Sequence, residues 1–170
     1  MDGKLPLKAN LELEGRGSLR VATIVNGPIQ TNTYIVVSQD RAVMIDPAWE
    51  GEKLAERALA LFPTVHLDAV VCTHGHADHV GGVAGVRRVL GEDIPFMISA
   101  LDAPHLAEAV RSMKTTWGID TEMPPAPDRL LGRAIRSRWE THASRCCRLP
   151  AIRREALCCL LPLRMQTSHL

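Results

Sequence analysis

Between Thr73 and His79 the chain reads Thr-His-Gly-His-Ala-Asp-His, with three imidazoles and a carboxylate inside the six residues that start at His74. What flanks this loop dictates the fold around it. Leu67 to Cys72 is a short apolar run that reads as a strand buried on both faces. Such a strand needs neighbours on either side and cover on both faces, so it belongs inside a sheet layered with helices. After the loop, Val83, Val86 and Val89/Leu90 recur at helical spacing, Arg87 and Arg88 fall on the water side, and Gly91 is placed to cap the helix. The loop therefore lies on a strand-to-helix turn, where α/β folds put chemistry.

The other elements fit that frame. Leu19 to Val25 reads as a strand ended by Gly27-Pro28. Thr33 to Val37 and Ala42 to Ile45 are two more, joined by a turn at Gln39-Asp40, and Asp46-Pro47 ends the second. Glu52 to Phe62 is helical, with Leu54, Ala58 and Leu61/Phe62 on one face and Pro63 as its stop. Ile94 to Ile98 predicts a strand and Ala103 to Met113 a helix, while Pro124, Pro125 and Pro127 mark a connection. Antiparallel strands followed by alternating strand and helix predict an α/β sandwich.

Met1 to Gly17 is polar and charged with no apolar run, which predicts neither a signal peptide nor a membrane anchor. With no apolar stretch long enough for a bilayer, no membrane partner is expected and the cytoplasm is the expected compartment. The overall charge of +1 hides a break near Gly132. Residues 1–131 hold 12 Lys/Arg against 17 Asp/Glu, whereas residues 132–170 hold 8 Arg against 2 Glu. Four of the five cysteines, Cys146, Cys147, Cys158 and Cys159, lie in that last part. The chain thus divides into a domain over 1–131 and a tail over 132–170 of different character.

Neutral imidazole suits zinc, iron and similar divalent ions, and a carboxylate adds the charge to hold a second one. His74 and His76 are two apart, so an extended segment aims both the same way. Asp78 and His79 follow where the loop bends, towards a neighbouring position. Gly81-Gly82 leave little bulk where a substrate could approach. Asp46, at the end of a strand, is placed either to hydrogen-bond metal-ligating imidazoles from behind or to cap the following turn. His66 and His105 stand alone and read as ordinary surface or core residues.

Gln30-Thr31-Asn32-Thr33-Tyr34, Met44-Ile45-Asp46-Pro47 and Thr73-His74-Gly75-His76-Ala77-Asp78-His79-Val80-Gly81-Gly82 together resemble the metallo-β-lactamase-fold hydrolases, whose signature is H-x-H-x-D-H. The likeness covers about residues 19–131 and is greatest to the hydroxyacylglutathione hydrolase (glyoxalase II) branch. It implies an αββα sandwich with a dinuclear site, two Zn2+ in an intact member, or Fe or Mn. His74 and His76 would bind the first ion and Asp78 and His79 the second. Asp78 would also orient a bridging hydroxide, the nucleophile, towards a small-molecule thioester or related ester. Lactam, lactone or phosphodiester hydrolysis on the same fold would carry the same motif, as would a non-catalytic metal-binding or interaction protein.

The family also supplies a downstream T-P-G-H-T-x-G-S segment, a bridging aspartate and a last histidine. Residues 132–170 contain none of these as written, and His142 and His169 match nothing expected. The N-terminal half of the sandwich is therefore expected to be present and the C-terminal half truncated or disrupted. Reading the tail one base back changes this. Leu149 to Arg153 can then be encoded so that the shifted triplets spell Thr-Pro-Gly-His-Thr, and Arg154 to Ala156 permit x-G-S. Less freely, Trp139-Glu140 forces a glycine, Glu140-Thr141 allows only Asp or Asn, and Cys146-Cys147 and Cys158-Cys159 each force a leucine. These readings predict a frame slip near Gly132, with a premature stop after Leu170 and a poorly ordered tail. The rival readings of the tail are weaker. Adjacent cysteines lack the gap common in zinc sites, and the arginines come without an aromatic platform for nucleic acid, so no nucleic-acid partner is expected.

Overall fold

The computed structural model describes the backbone of residues 7–13 and residues 19–132 in full. Seven strands form one mixed sheet whose spatial order is the chain order. Strands β1 (Leu7–Leu13), β2 (Leu19–Asn26), β3 (Thr31–Ser38) and β4 (Arg41–Ile45) make an antiparallel meander. Strands β5 (His66–Val71), β6 (Phe96–Ser99) and β7 (Arg129–Leu131) then add in parallel, each after a helical connection. Helix α1 (Gly51–Leu61) joins β4 to β5, and α2 (Ala77–Val80) with α3 (Val83–Leu90) joins β5 to β6. A 3-10 turn over Ala103–His105 leads into α4 (Leu106–Trp117), which joins β6 to β7.

The mixed α/β architecture agrees with expectation, and the described residues supply one sheet of the sandwich. Alternation along the strands sorts the core into two faces. Ala22, Ile24, Ile35, Val37, Met44, Val70 and Phe96 pack with Leu54, Val80, Val83, Val86 and Leu106 from the helices. On the other face Val21, Tyr34, Val36, Val43, Ile45, Ala69, Val71 and Met97 form a second buried cluster, to which no described helix contributes.

Several expectations are corrected. Residues 7–13 form an edge strand inside the polar and charged stretch Met1 to Gly17, where no strand is anticipated; along the sequence Leu7, Ala9, Leu11 and Leu13 alternate with Lys8, Asn10 and Glu12, the two-residue period of a strand. Residues 129–131 add a short strand not anticipated at all. Gly81-Gly82 are not an open approach for substrate. Both are buried, and a Cβ on Gly81 would lie 2.4 Å from Thr121 Cγ2 and 2.8 Å from the Ala48 carbonyl. One on Gly51 would lie 2.0 Å from the Gly82 carbonyl, so these glycines let α1 and the start of α3 touch backbone to backbone. Arg87 does not point into water: its guanidinium pairs at 2.9 Å with Asp128, whose carboxylate also accepts the Phe96 N–H at 2.8 Å. The tail beyond Gly132 lies outside the described residues. No described helix is long and apolar enough to cross a membrane.

Candidate metal centre

The loop predicted to carry the chemistry leaves β5 at the end of a strand buried on both faces. Thr73 is the first of its residues to be fixed. Its backbone N–H donates to Asp46 Oδ1 at 2.7 Å, and its hydroxyl donates to Asp46 Oδ2 at 2.8 Å. A hydroxyl has one proton, so Thr73 Oγ1 can only accept from His74 Nδ1, 2.9 Å away. That contact puts the His74 proton on Nδ1 and leaves the Nε2 lone pair free. Burial first, then the charges of His79 and His76, lower the pKa of His74, which keeps the ring neutral.

His74 Nε2 faces His76 Nδ1 at 3.1 Å, with the rings edge to face at 4.5 Å between centroids. His76 is the last residue before α2; Asp78 and His79 fall in its single turn, so the bend expected after His76 is helical. His79 Nε2 lies 3.3 Å from Asp78 Oδ2, and its Nδ1 lies 3.1 Å from Asp46 Oδ2. The latter contact is oblique, since Nδ1 is buried with no well-aligned hydrogen bond. The His74 and His79 rings are 4.1 Å apart. The structure therefore gathers His74, His76, Asp78 and His79 at one place, with Asp46 behind them.

The charges are tightly coupled. Burial alone would lower the pKa of His79, but the Asp46 and Asp78 carboxylates outweigh it and raise the imidazole to about 9. Burial would raise Asp78, yet the contact with His79 and the hydrogen bond from Thr31 hold it below the ordinary carboxylate value. Without a cation, His79 is thus an imidazolium between two carboxylates. The Cys72 thiol, fully buried and donating to the His79 carbonyl at 3.4 Å, is pushed well up by burial and then by the Asp46 charge. It stays a thiol.

The geometry of Asp46 explains its position. Its φ of 51° lies in the left-handed region, a strained place for a residue followed by proline. Its N–H donates to the Val71 carbonyl at 3.0 Å and its own carbonyl accepts the Thr33 hydroxyl at 2.7 Å. These bonds turn the 3% exposed carboxylate towards Thr73 and His79, away from the following turn. Two residues beyond sequence reasoning also matter here: Thr31 donates to Asp78 Oδ2 at 3.1 Å, and Asn26 donates to the Trp49 carbonyl. Thr31 falls in the family-like segment Gln30-Thr31-Asn32-Thr33-Tyr34, but nothing in that segment shows that its hydroxyl meets Asp78, and Asn26 carries no sequence signal. His66 and His105 are exposed and take no part.

Whether the donors fit metal ions can be judged from spacing. Two ligands of one four-coordinate ion, each about 2.0–2.1 Å from it, stand about 3.3–3.4 Å apart. His74 Nε2 with His76 Nδ1, at 3.1 Å, and Asp78 Oδ2 with His79 Nε2, at 3.3 Å, have close to that separation. In each imidazole held from behind, the far nitrogen meets Thr73 or Asp46, the second contact that fixes a ligating ring. The donor chemistry fits divalent zinc or iron. Among the described residues no set of three such donors is assembled to hold an ion, so each pair is two donors strong.

Known proteins share this fold. The chain is 33% identical over 103 residues to a probable metallo-hydrolase, YqgX, of Bacillus subtilis (strain 168), covering 59% of this chain and 46% of that protein. It is 40% identical over 62 residues to a hydroxyacylglutathione hydrolase of Anaeromyxobacter dehalogenans (strain 2CP-C), covering 36% of this chain and 23% of the relative. Among solved structures, TTHA1623 in a di-iron-bound form superposes with a TM-score of 0.54 at 39% identity, covering 64% of this chain and 52% of that one. The chain thus spans about half the length of such relatives, or less. The family model of the metallo-beta-lactamase superfamily matches residues 26–135, which is more than half the chain and includes every residue of the cluster just described. On that match, and on the fold that presents it, the chain belongs to the metallo-beta-lactamase superfamily.

Proposed function

We propose that residues 19–131 carry the first half of a two-ion hydrolytic centre and that the intact enzyme cleaves a thioester of the hydroxyacyl-glutathione type. The observation that carries the metal reading is the pair of two-donor clusters, His74 Nε2 with His76 Nδ1 and Asp78 Oδ2 with His79 Nε2, each at a separation suited to one ion. Bound divalent ions would supply a water acidic enough to be hydroxide near neutral pH and would polarise a carbonyl. The chain's own residues do the rest. Thr73 keeps the His74 proton on Nδ1, so Nε2 presents a lone pair. Asp46 Oδ2 lies 3.1 Å from His79 Nδ1, which leaves Nε2 as the ring atom beside Asp78, and it holds the loop through Thr73. Asp78, ionised through its low pKa, supplies negative charge beside the reacting water and is the residue we assign to orient it.

The thioester reading draws on likeness to hydroxyacylglutathione hydrolases, a local one. A second reading, a non-catalytic metal-binding protein, is favoured by one observation: neither donor pair is completed to three among the described residues. Zinc titration of the purified chain in competition with a chromogenic chelator tests the metal reading. Weak binding of fewer than two ions is expected, because each pair lacks further ligands. Zinc affinity unchanged when His74 and His79 are both replaced by alanine would refute it.

A further inference from the structure

Strand β3 places two threonines, Thr31 and Thr33, at alternate positions on the face shared by Ile35 and Val37, which is the helix side of the sheet. Both are buried, at 8% and 0% exposure. Their hydroxyls reach the two aspartates of the cluster. Thr33 Oγ1 donates to the Asp46 carbonyl at 2.7 Å and lies 3.4 Å from the Ala48 N–H, which spans the strained residue and the turn after it. Thr31 Oγ1 donates to Asp78 Oδ2 at 3.1 Å, across 47 residues of sequence.

We infer that Thr31 is a positioning residue of the metal centre: its hydroxyl sets the rotation of the Asp78 carboxylate, so that Oδ2 stays beside His79 Nε2 as a ready donor pair. The physical case is as follows. Asp78 sits on a helix of a single turn, where its own backbone N–H and His79 also meet the carboxylate but leave it some freedom about its two torsions. A hydroxyl proton given to Oδ2 removes that freedom before any cation arrives. The entropy cost of ordering the ligand is then met on folding rather than on binding. Thr31 can do this because it is itself fixed. It follows a turn closed by Gln30 N–H to the Gly27 carbonyl at 3.2 Å, with Gly27 and Gln30 both at positive φ. Asn26, at the other side of the turn, donates to the Trp49 carbonyl and pins the hairpin to the loop after Asp46. A β-branched side chain on a strand has little rotamer freedom left. The hairpin is thus a rigid arm with a hydroxyl at its end.

The inference rests on the metal-centre reading and is tested with it. Thr31→Val keeps the shape and removes the hydroxyl, while Thr31→Ser keeps the hydroxyl. Zinc affinity of the full chain and both variants is measured by chelator competition, with thermal melting recorded in parallel without metal. Loss of a hydrogen bond behind a ligand typically weakens metal binding by about 10–100-fold. That loss is expected for Thr31→Val, with Thr31→Ser recovering most of the affinity. A lower melting temperature in Thr31→Val with zinc affinity equal to the unaltered chain makes Thr31 merely structural and overturns the inference alone. If the unaltered chain binds no zinc, the metal-centre reading fails and this inference falls with it.

Discussion

The Asp46 carboxylate accepts the Thr73 hydroxyl's hydrogen bond on Oδ2 and lies against His79 Nδ1 with the same atom, so both donor pairs depend on it. Asp46→Asn replaces an acceptor by an amide of the same shape. It is expected to lower zinc affinity by about 10–100-fold in chelator competition, the usual effect of removing the partner behind a ligating imidazole. His79 offers a second check, in the metal-free chain. Its pKa is raised in the folded state to about 9 from an ordinary 6.5. The stabilisation it brings is therefore complete below pH 6.5 and disappears as pH rises through about 9. NMR titration of the His79 ring should place its midpoint near 9, and Asp46→Asn should move it down; a midpoint at 6.5 in the unaltered chain would contradict the arrangement. At this scale the histidine loop was legible because its residue types have few other uses so close together. The threonines were not, because a hydroxyl's role depends on which strand face it occupies and what the fold brings opposite.

Elements meet here through backbone rather than side chains. Helix α1 approaches the start of α3 so closely that a methyl on Gly51 would sit 2.0 Å from the Gly82 carbonyl, an atom that cannot swing aside. Gly51→Ala is therefore expected to cost about 1–3 kcal/mol in urea unfolding, the usual range for overpacking. Gly51 is not among the positive-φ glycines, so alanine is conformationally allowed there, and its helix preference over glycine works against any loss rather than causing it. Strand and helix positions between residues 19 and 113 were largely readable, because apolar periodicity and the breakers Gly27-Pro28, Asp46-Pro47 and Pro63 fall at element ends. The helix that the apolar spacing places from Val83 to Leu90 is α3, whereas the single turn of α2 ahead of it, Ala77–Val80, is too short to show a period. β1 offers no continuous apolar run to read, since Lys8, Asn10 and Glu12 break its apolar residues apart. β7, three residues long, carries no pattern to read. Its place is held from outside by Arg87 and Asp128, a pairing 41 residues apart that no local pattern contains.

The whole molecule is divided at Gly132 by composition, and the superfamily match stops at residue 135. We hold that residues 132–170 are the family's next segment translated one base out of frame. The constrained positions Trp139-Glu140, Cys146-Cys147 and Cys158-Cys159 make this specific, since each leaves almost no freedom in the shifted triplet. Sequencing the gene across codons 125–175 decides it: a shifted reading that spells Thr-Pro-Gly-His-Thr supports the proposal, and one that does not ends it. Correcting the frame should then give a chain that binds two zinc ions tightly. That gain would come from donors in the new segment, with the described half unchanged.

Because each strand docks beside the one made just before it, the sheet can grow from one edge in the order of synthesis. Sequentially local pairing of this kind lowers the loop-closure cost of each addition and favours assembly on the ribosome. Thr31, Asp46, Thr73 and the donors up to His79 all precede β6, so the nest of imidazoles and carboxylates can be complete while the rest of the protein is still being translated. An error introduced near codon 132 would then strike a chain whose first half had already taken shape.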